Sequence, residues 1–245
     1  LASIGLSTVP VIRRPRVALL STGDELREIG SRLAIGQLYD SNRENLYGLA
    51  TRAGAEVIDL GMVGDKPQEL ERILLAAAKE ADMIVTSGGA SVGEADYMTA
   101  LLKRLGTLDF SSVAIKPGRP TLFGKLAGAL FFGLPGNPVS VSVTYCQLVR
   151  PALHKLSGAS FDQVDITITA RCRTRLKTRK GRTEFQRGVL TYDEQEGYIV
   201  DSVGSQGSGI LSSMVRANCF IIVPDGRGPV TAGDEVNVIP FTSIV

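Results

Sequence analysis

The chain has 245 residues, 44% hydrophobic and 21% charged, with 27 basic against 25 acidic side chains. This is the composition of a folded protein of one large or two smaller domains. A net charge of +2 gives no case for a nucleic-acid partner, and no apolar run is long enough to cross a bilayer.

Residues Leu1 to Arg14 carry little pattern and read as the tail of a preceding domain followed by a linker. Arg16 to Leu20 is an apolar strand, and it runs into a small-residue turn with acids, Ser21-Thr22-Gly23-Asp24-Glu25. Asp40-Ser41-Asn42 supplies cap residues for a helix from about Arg43 to Ala53, which Gly54 ends. Glu56 to Val63 is a second strand. Gly64-Asp65-Lys66-Pro67 follows, and Pro67 suits the first turn of a helix reaching Ala81. Met83 to Thr86 is a third strand, leading into the glycine-rich stretch from Ser87 to Tyr97 and then a helix to about Leu105. That stretch combines glycines, which let the backbone approach a bound group, with the carboxylates Glu94 and Asp96. Phosphate together with a hard cation such as Mg²⁺ is one reading; Asp96 as a plain helix N-cap is the other.

Strands alternating with helices predict a parallel sheet, whose ligands bind outside the carboxyl ends of the strands. The loops carrying Glu25, Asp65 and Asp96 all follow strands and should gather at one sheet edge. Further on, Lys116-Pro117-Gly118-Arg119-Pro120 is a stiff turn with two cations suited to phosphate or an oxyanion. Residues 121–132 read as two strands. Gly133-Leu134-Pro135-Gly136-Asn137-Pro138 is a second glycine-rich junction opening a helix to about Leu156, and a second candidate anion cradle.

The composition shifts at Ser157-Gly158-Ala159-Ser160. The expected organisation is therefore a linker over 1–14, an α/β domain over 15–157 and a β domain over 158–245. Asp165 to Thr169 alternates apolar and polar residues. Odd positions from Arg171 to Arg179 are all Arg or Lys, which period two would put on one strand face. Phe185 to Thr191, Tyr198 to Val203, Cys219 to Val223 and Glu235 to Ile239 are further short strands, implying a small barrel or sandwich. The polar loop Gly204 to Gly209 suits either a ligand phosphate or a hairpin end.

Three scattered cysteines without a C-x-x-C pair and the single histidine, His154, argue against a zinc site, a redox dithiol or a Ser-His-Asp triad. A reducing, cytoplasmic setting is expected, with any metal held by oxygens. His154 lies in an apolar helical run and reads as structural.

Together, Ser21 to Leu26, Tyr39-Asp40-Ser41-Asn42, Ser87-Gly88-Gly89 through Asp96-Tyr97, Ala114 to Pro120, Gly133 to Pro138 and Phe185-Gln186-Arg187-Gly188 resemble the MoeA-type molybdopterin molybdenumtransferases, the family that includes the matching domain of gephyrin. The resemblance covers nearly the whole chain. It implies a three-layer α/β domain of the molybdopterin-binding type followed by a small all-β barrel. It implies Mg²⁺-dependent insertion of molybdate into molybdopterin-AMP with release of AMP. By position it implies Glu25, Asp65 and Asp96 as catalytic and metal-binding acids. It implies Ser87, Gly88, Gly89, Ser91, Gly93, Lys116, Arg119, Pro135, Gly136, Asn137, Pro138, Arg187 and Ser208 as the binding set. A homodimer is implied, and an adenylyltransferase as partner. Two departures stand out. Ser111-Ser112 replace a region where the family has a basic residue, and only the end of the family's N-terminal half is expected to be present. The competing readings are molybdopterin adenylyltransferase, which shares the α/β domain, and a non-catalytic gephyrin-like scaffold.

Overall fold

Strand β1, Arg16–Thr22, is buried from its second residue to its last, and its side chains alternate between two cores. Val17 and Leu19 face one; Ala18 and Leu20 face the other. A strand with apolar residues on both faces, as over Val17 to Leu20, needs cover on both, which is why the flanking sequence supplies amphipathic helices. In the computed structural model, residues 1–88, 92–159 and 166–243 are described, with the side chains of 92–95 set aside.

The short strands β2 (Leu26–Arg27) and β3 (Leu38–Tyr39) pair with each other. Helix α1, Ser41–Arg52, follows; the Asp40 side chain accepts from the Arg43 N–H and caps it. Next come β4 (Glu56–Val63), α2 (Pro67–Glu80), β5 (Met83–Ser87) and α3 (Val92–Leu105). Then follow β6 (Gly106–Phe110), β7 (Ile115–Lys116), β8 (Leu122–Leu126) and β9 (Ala129–Leu134). Helix α4, Pro138–Thr144, continues through a π turn at Tyr145–Val149 into α5, Arg150–Leu156. The wide turn precedes Pro151, which has no N–H to give to a carbonyl one turn back.

The first sheet has the order β4-β1-β5-β9-β8-β6. Its first four strands are parallel, and β8 and β6 are antiparallel additions. Helices α1, α4 and α5 cover one face, and α2 and α3 the other. The sequence reading missed β6 because Gly106-Thr107-Leu108-Asp109-Phe110 is a half-exposed edge strand with a weak apolar signal. It also placed Asp96 in a loop. The helix begins at Val92, so Asp96 sits inside its second turn and is not an N-cap.

The second sheet is built from β10 (Ile168–Cys172), β11 (Thr183–Asp193), β12 (Gly197–Ser202), β13 (Cys219–Val223) and β14 (Glu235–Pro240), with helix α6 (Ser212–Arg216) before β13. The order β12-β10-β14-β13-β11, with β11 also paired to β12, closes a five-stranded barrel. Gly188 lies where β11 bends between its two partners. A Cβ there would meet Ile221 and Val200 side-chain atoms within 2.9 Å. The basic face read along residues 171–179 is not one strand, since β10 ends at Cys172. The alternation itself persists: all five cations are exposed, while Cys172 and Leu176 are buried.

The two sheets are not independent. Phe185, Phe220 and Ile239 of the barrel belong to the same core as Leu46, Val139 and Val149. Strand β7, from the first half of the chain, pairs parallel with the start of β11, Ile115 opposite Thr183 and Lys116 opposite Glu184.

Candidate functional site at the carboxyl edge

The parallel strands end in register. Thr22 of β1 lies opposite Val63 of β4, Ser21 opposite Ser87 of β5, and Ser87 opposite Leu134 of β9. The turns that follow therefore leave the sheet side by side. Strand β4 lies on one side of β1 and β5 on the other, so the connections leave β1 toward opposite edges of the sheet. Such a switch point opens a crevice for ligands.

Direct contacts tie these turns together. Asp24 Oδ1 accepts from the Asp65 backbone N–H at 3.1 Å. Asn42 Nδ2 donates to the Gly136 carbonyl at 2.7 Å. Gly88 has φ +94°, and a Cβ there would lie 2.1 Å from the Thr22 carbonyl oxygen. Gly88 must be glycine for the ends of β1 and β5 to stay this close. Gly136 lies near Gly88 in turn, since its virtual Cβ is 3.8 Å from the Gly88 Cα. On the opposite flank, the Tyr97 hydroxyl donates to the Pro67 carbonyl, which ties α3 to the first turn of α2.

Glu25, Asp65 and Asp96 are all exposed, as is Asp24. Among the described residues no three or more His, Cys, Asp or Glu side chains are close enough to hold a metal ion unaided. Mg²⁺ ordinarily takes one or two carboxylates and completes its shell with waters and substrate phosphates. An edge of exposed carboxylates fits an ion that arrives with its substrate. Among the described residues, two buried polar atoms of the edge lack a hydrogen-bond partner, Thr22 Oγ1 and Asn42 Oδ1. Buried polar atoms are nearly always satisfied, so these two are the places where a polar ligand would complete the structure. Asp24, Thr22 and Asn42 were missed as candidates, although all three lie in the quoted motifs; position after a strand was their only signal.

The second cradle is altered by its surroundings. Pro138 opens α4 and lacks an N–H, and the Val139 N–H donates to the Ser208 carbonyl at 3.1 Å. The barrel loop thus takes up part of the helix start that the sequence assigned to an anion. Ser208 reaches the edge through its backbone. Pro135 is buried, while Gly136 and Asn137 are exposed; Asn137 Oδ1 would stand 3.6 Å from a Cβ on Gly209. Ser87 is buried beside Gly88, whereas Gly89 and Ser91 lie outside the described residues and Gly93 is known only as part of α3.

Arg187 is 1% exposed. Its Nε donates to Ser213 Oγ at 3.0 Å, and Nη2 to the Gly207 carbonyl at 2.9 Å. Burial pushes its pKa down to about 10, so it stays cationic at neutral pH. Gln206 clasps the same strand, accepting from the Arg187 N–H at 2.8 Å and donating to its carbonyl at 3.1 Å. Arg187 is thus positioned to shape the loop that touches α4. Lys116 points into the seam with the barrel, 3.4 Å from Glu184, which is 1% exposed. Arg119 is exposed on the same segment.

Residues 18–155 match the family model described as a probable molybdopterin binding domain, and residues 169–241 match the MoeA C-terminal region (domain IV). The chain is 46% identical over 245 residues to a molybdopterin molybdenumtransferase of Haemophilus influenzae, covering all of this chain and 61% of that protein. It is 34% identical over 243 residues to one from Nostoc, covering 98% and 56%. A MoeA protein structure from Pyrococcus horikoshii superposes with a TM-score of 0.82 at 31% identity, over 98% of this chain and 57% of that one. The chain thus spans somewhat over half the length of these relatives. With both halves matched in order, and with the same two-domain architecture, it belongs to the MoeA-type molybdopterin molybdenumtransferase family.

Proposed function

We propose that the chain carries the molybdenum-insertion site of this family: it takes molybdopterin-AMP and molybdate, requires Mg²⁺, and releases AMP. The observation that carries this reading is the joining of four strand-end turns into one edge, fixed by the Asp24–Asp65 and Asn42–Gly136 bonds. Glu25, Asp65 and Asp96 supply exposed carboxylates for the cation or for a water. Backbone groups at Gly88 and Gly136 allow a substrate to come close. Mg²⁺, when bound, would offset phosphate charge and polarise the bond that breaks. The edge residues would hold and orient the substrate; Arg119, exposed on the β7 segment, would meet incoming anions, while Lys116 is engaged by Glu184.

The relatives are longer than this chain, so activity is assayed both on the chain and on any longer form of the protein. The assay follows AMP release and the appearance of molybdenum cofactor. Asp65→Ala and Asp96→Ala are each expected to lower the rate by about 10² or more, the usual scale for loss of a positioned acid or base. Full activity in both variants removes this reading. Dependence on ATP with adenylylation of molybdopterin, and no AMP release, would instead assign the adenylyltransferase reaction.

A further inference from the structure

Behind the carboxyl edge one side chain gathers three carboxylates. Arg43, in the first turn of α1, is 8% exposed. Its Nε donates to Asp40 Oδ2 at 3.0 Å, Nη1 to Asp59 Oδ2 at 2.5 Å and Nη2 to Glu28 Oε2 at 3.2 Å. Each nitrogen thus serves a different part of the chain: the cap of α1, strand β4, and the segment after β1 that carries Asp24 and Glu25. Asp40 is buried and also accepts from Ser21 Oγ of β1 at 3.0 Å. A planar guanidinium with fixed donor directions sets the relative places of its partners, which a lone ammonium cannot do.

Asp59 has a second task. Leu19 lies opposite Asp59 and Ser21 opposite Met62, so two steps along β1 match three along β4. Strand β4 therefore holds one extra residue shortly before it ends. Ile58 and Leu60 face the core shared with Ala18 and Leu20, and Val63 rejoins that face three residues later. Gly61 supplies the bend with φ +74°, and its N–H donates to Asp59 Oδ1 at 2.9 Å. Bulges re-aim the chain that follows them. Here that chain is Gly64 and Asp65, and the Asp65 N–H meets Asp24. One oxygen of Asp59 holds the bulge while the other holds Arg43.

We propose that Arg43 and Asp59 are positioning residues for the carboxyl edge: they fix the Glu25 and Asp65 turns relative to each other without touching substrate. This rests on the insertion site proposed above. The Asp59 side chain is 36% exposed, so it can be replaced without stranding a buried group, and Arg43→Lys keeps a cation beside buried Asp40. AMP release is measured over a range of molybdopterin-AMP for Asp59→Ala, Asp59→Asn, Arg43→Lys and the Arg43→Lys/Asp59→Ala double variant. Thermal melts and amide exchange without substrate are recorded alongside. In Asp59→Ala kcat falls about tenfold while KM moves by no more than about twofold, the pattern of a group whose effect is felt in the transition state. Exchange rises at the N–H groups of Leu26, Asp65 and Lys66, which bond within or between the two turns. Asp59→Asn, which keeps an acceptor for Gly61, recovers part of the rate. The double variant loses less than the product of the two single losses, because both act through one contact. The proposal is overturned if Asp59→Ala and Arg43→Lys keep the wild-type kcat, if the rate falls only in step with the folded fraction, or if exchange at Asp65 and Lys66 is unchanged. Full activity in Asp65→Ala, or no AMP release by wild type, removes the insertion reading instead, and the exchange data then decide this one.

Discussion

The carboxyl edge of the α/β sheet and the barrel loop that meets it use charge in opposite ways. At the edge, Asp24, Glu25, Asp65 and Asp96 are exposed, and backbone contacts set the geometry. In the barrel, the cation Arg187 is buried and spends its donors on neutral oxygens of the 205–213 segment. An exposed carboxylate stays open to solvent, whereas a buried guanidinium with protein partners is committed to holding its loop. Under the proposed function, two motif positions of one family would serve one site by separate routes, one by meeting substrate and the other by placing what meets it.

The comparison breaks most sharply at Gly88. Gly88→Ala drives a methyl against the Thr22 carbonyl at a positive φ, and should cost about 3 kcal/mol of stability. Denaturant unfolding reads the loss, and molybdopterin-AMP binding by calorimetry should fall with it, because the strand ends must part. Arg187→Ala comes next. It leaves the Gly207 and Ser205 carbonyls and Ser213 without their donor and opens a cavity, for a loss of about 2–3 kcal/mol. Hydrogen exchange should then rise at 204–213 and at Val139, while the 22–25 turn stays protected. Equal loosening of both regions would dissolve the contrast.

Asn42→Ala is smaller. It removes the bond to the Gly136 carbonyl, worth about 1 kcal/mol. Ligand affinity should fall more than stability does, because Asn42 Oδ1 is unpartnered without ligand. The smallest effect is at the rear of the sheet, far from either region. Arg13 hydrogen-bonds Asp82 and holds its carboxyl below the usual 3.8. A carboxyl depressed in the folded state adds stability above pH 3.8 and loses it as the pH falls further. Arg13→Ala should therefore melt slightly earlier than wild type at neutral pH, with the gap closing below that point. A thermal melt series in pH checks the sign.

Much of the edge was legible because its signals are local. The strand from Glu56 to Val63 and the helix opening at Pro67 stand where periodicity and proline chemistry put them. The strand at Cys219–Val223 is likewise continuous and apolar. The weak points have equally physical causes. Asp96 was displaced from loop to helix because glycine at 93 suggested a turn, yet one glycine near a helix start is tolerated. The segment 212–216 is too short to show a helical period, and its helix is held by Ser213 against Arg187 and the Ile210 carbonyl.

The sequence alone determined the alternation of strand, turn and helix, and so which turns lie at strand ends. Hydrophobic period and backbone stereochemistry act over a few residues, and every residue needed for them is adjacent in the chain. Tertiary structure alone decided that Asp24 braces Asp65, that Ser208 occupies part of the α4 start, and that Lys116 turns to Glu184. Those pairings join residues tens of positions apart. They depend on how two sheets close on a shared core, which no local pattern encodes.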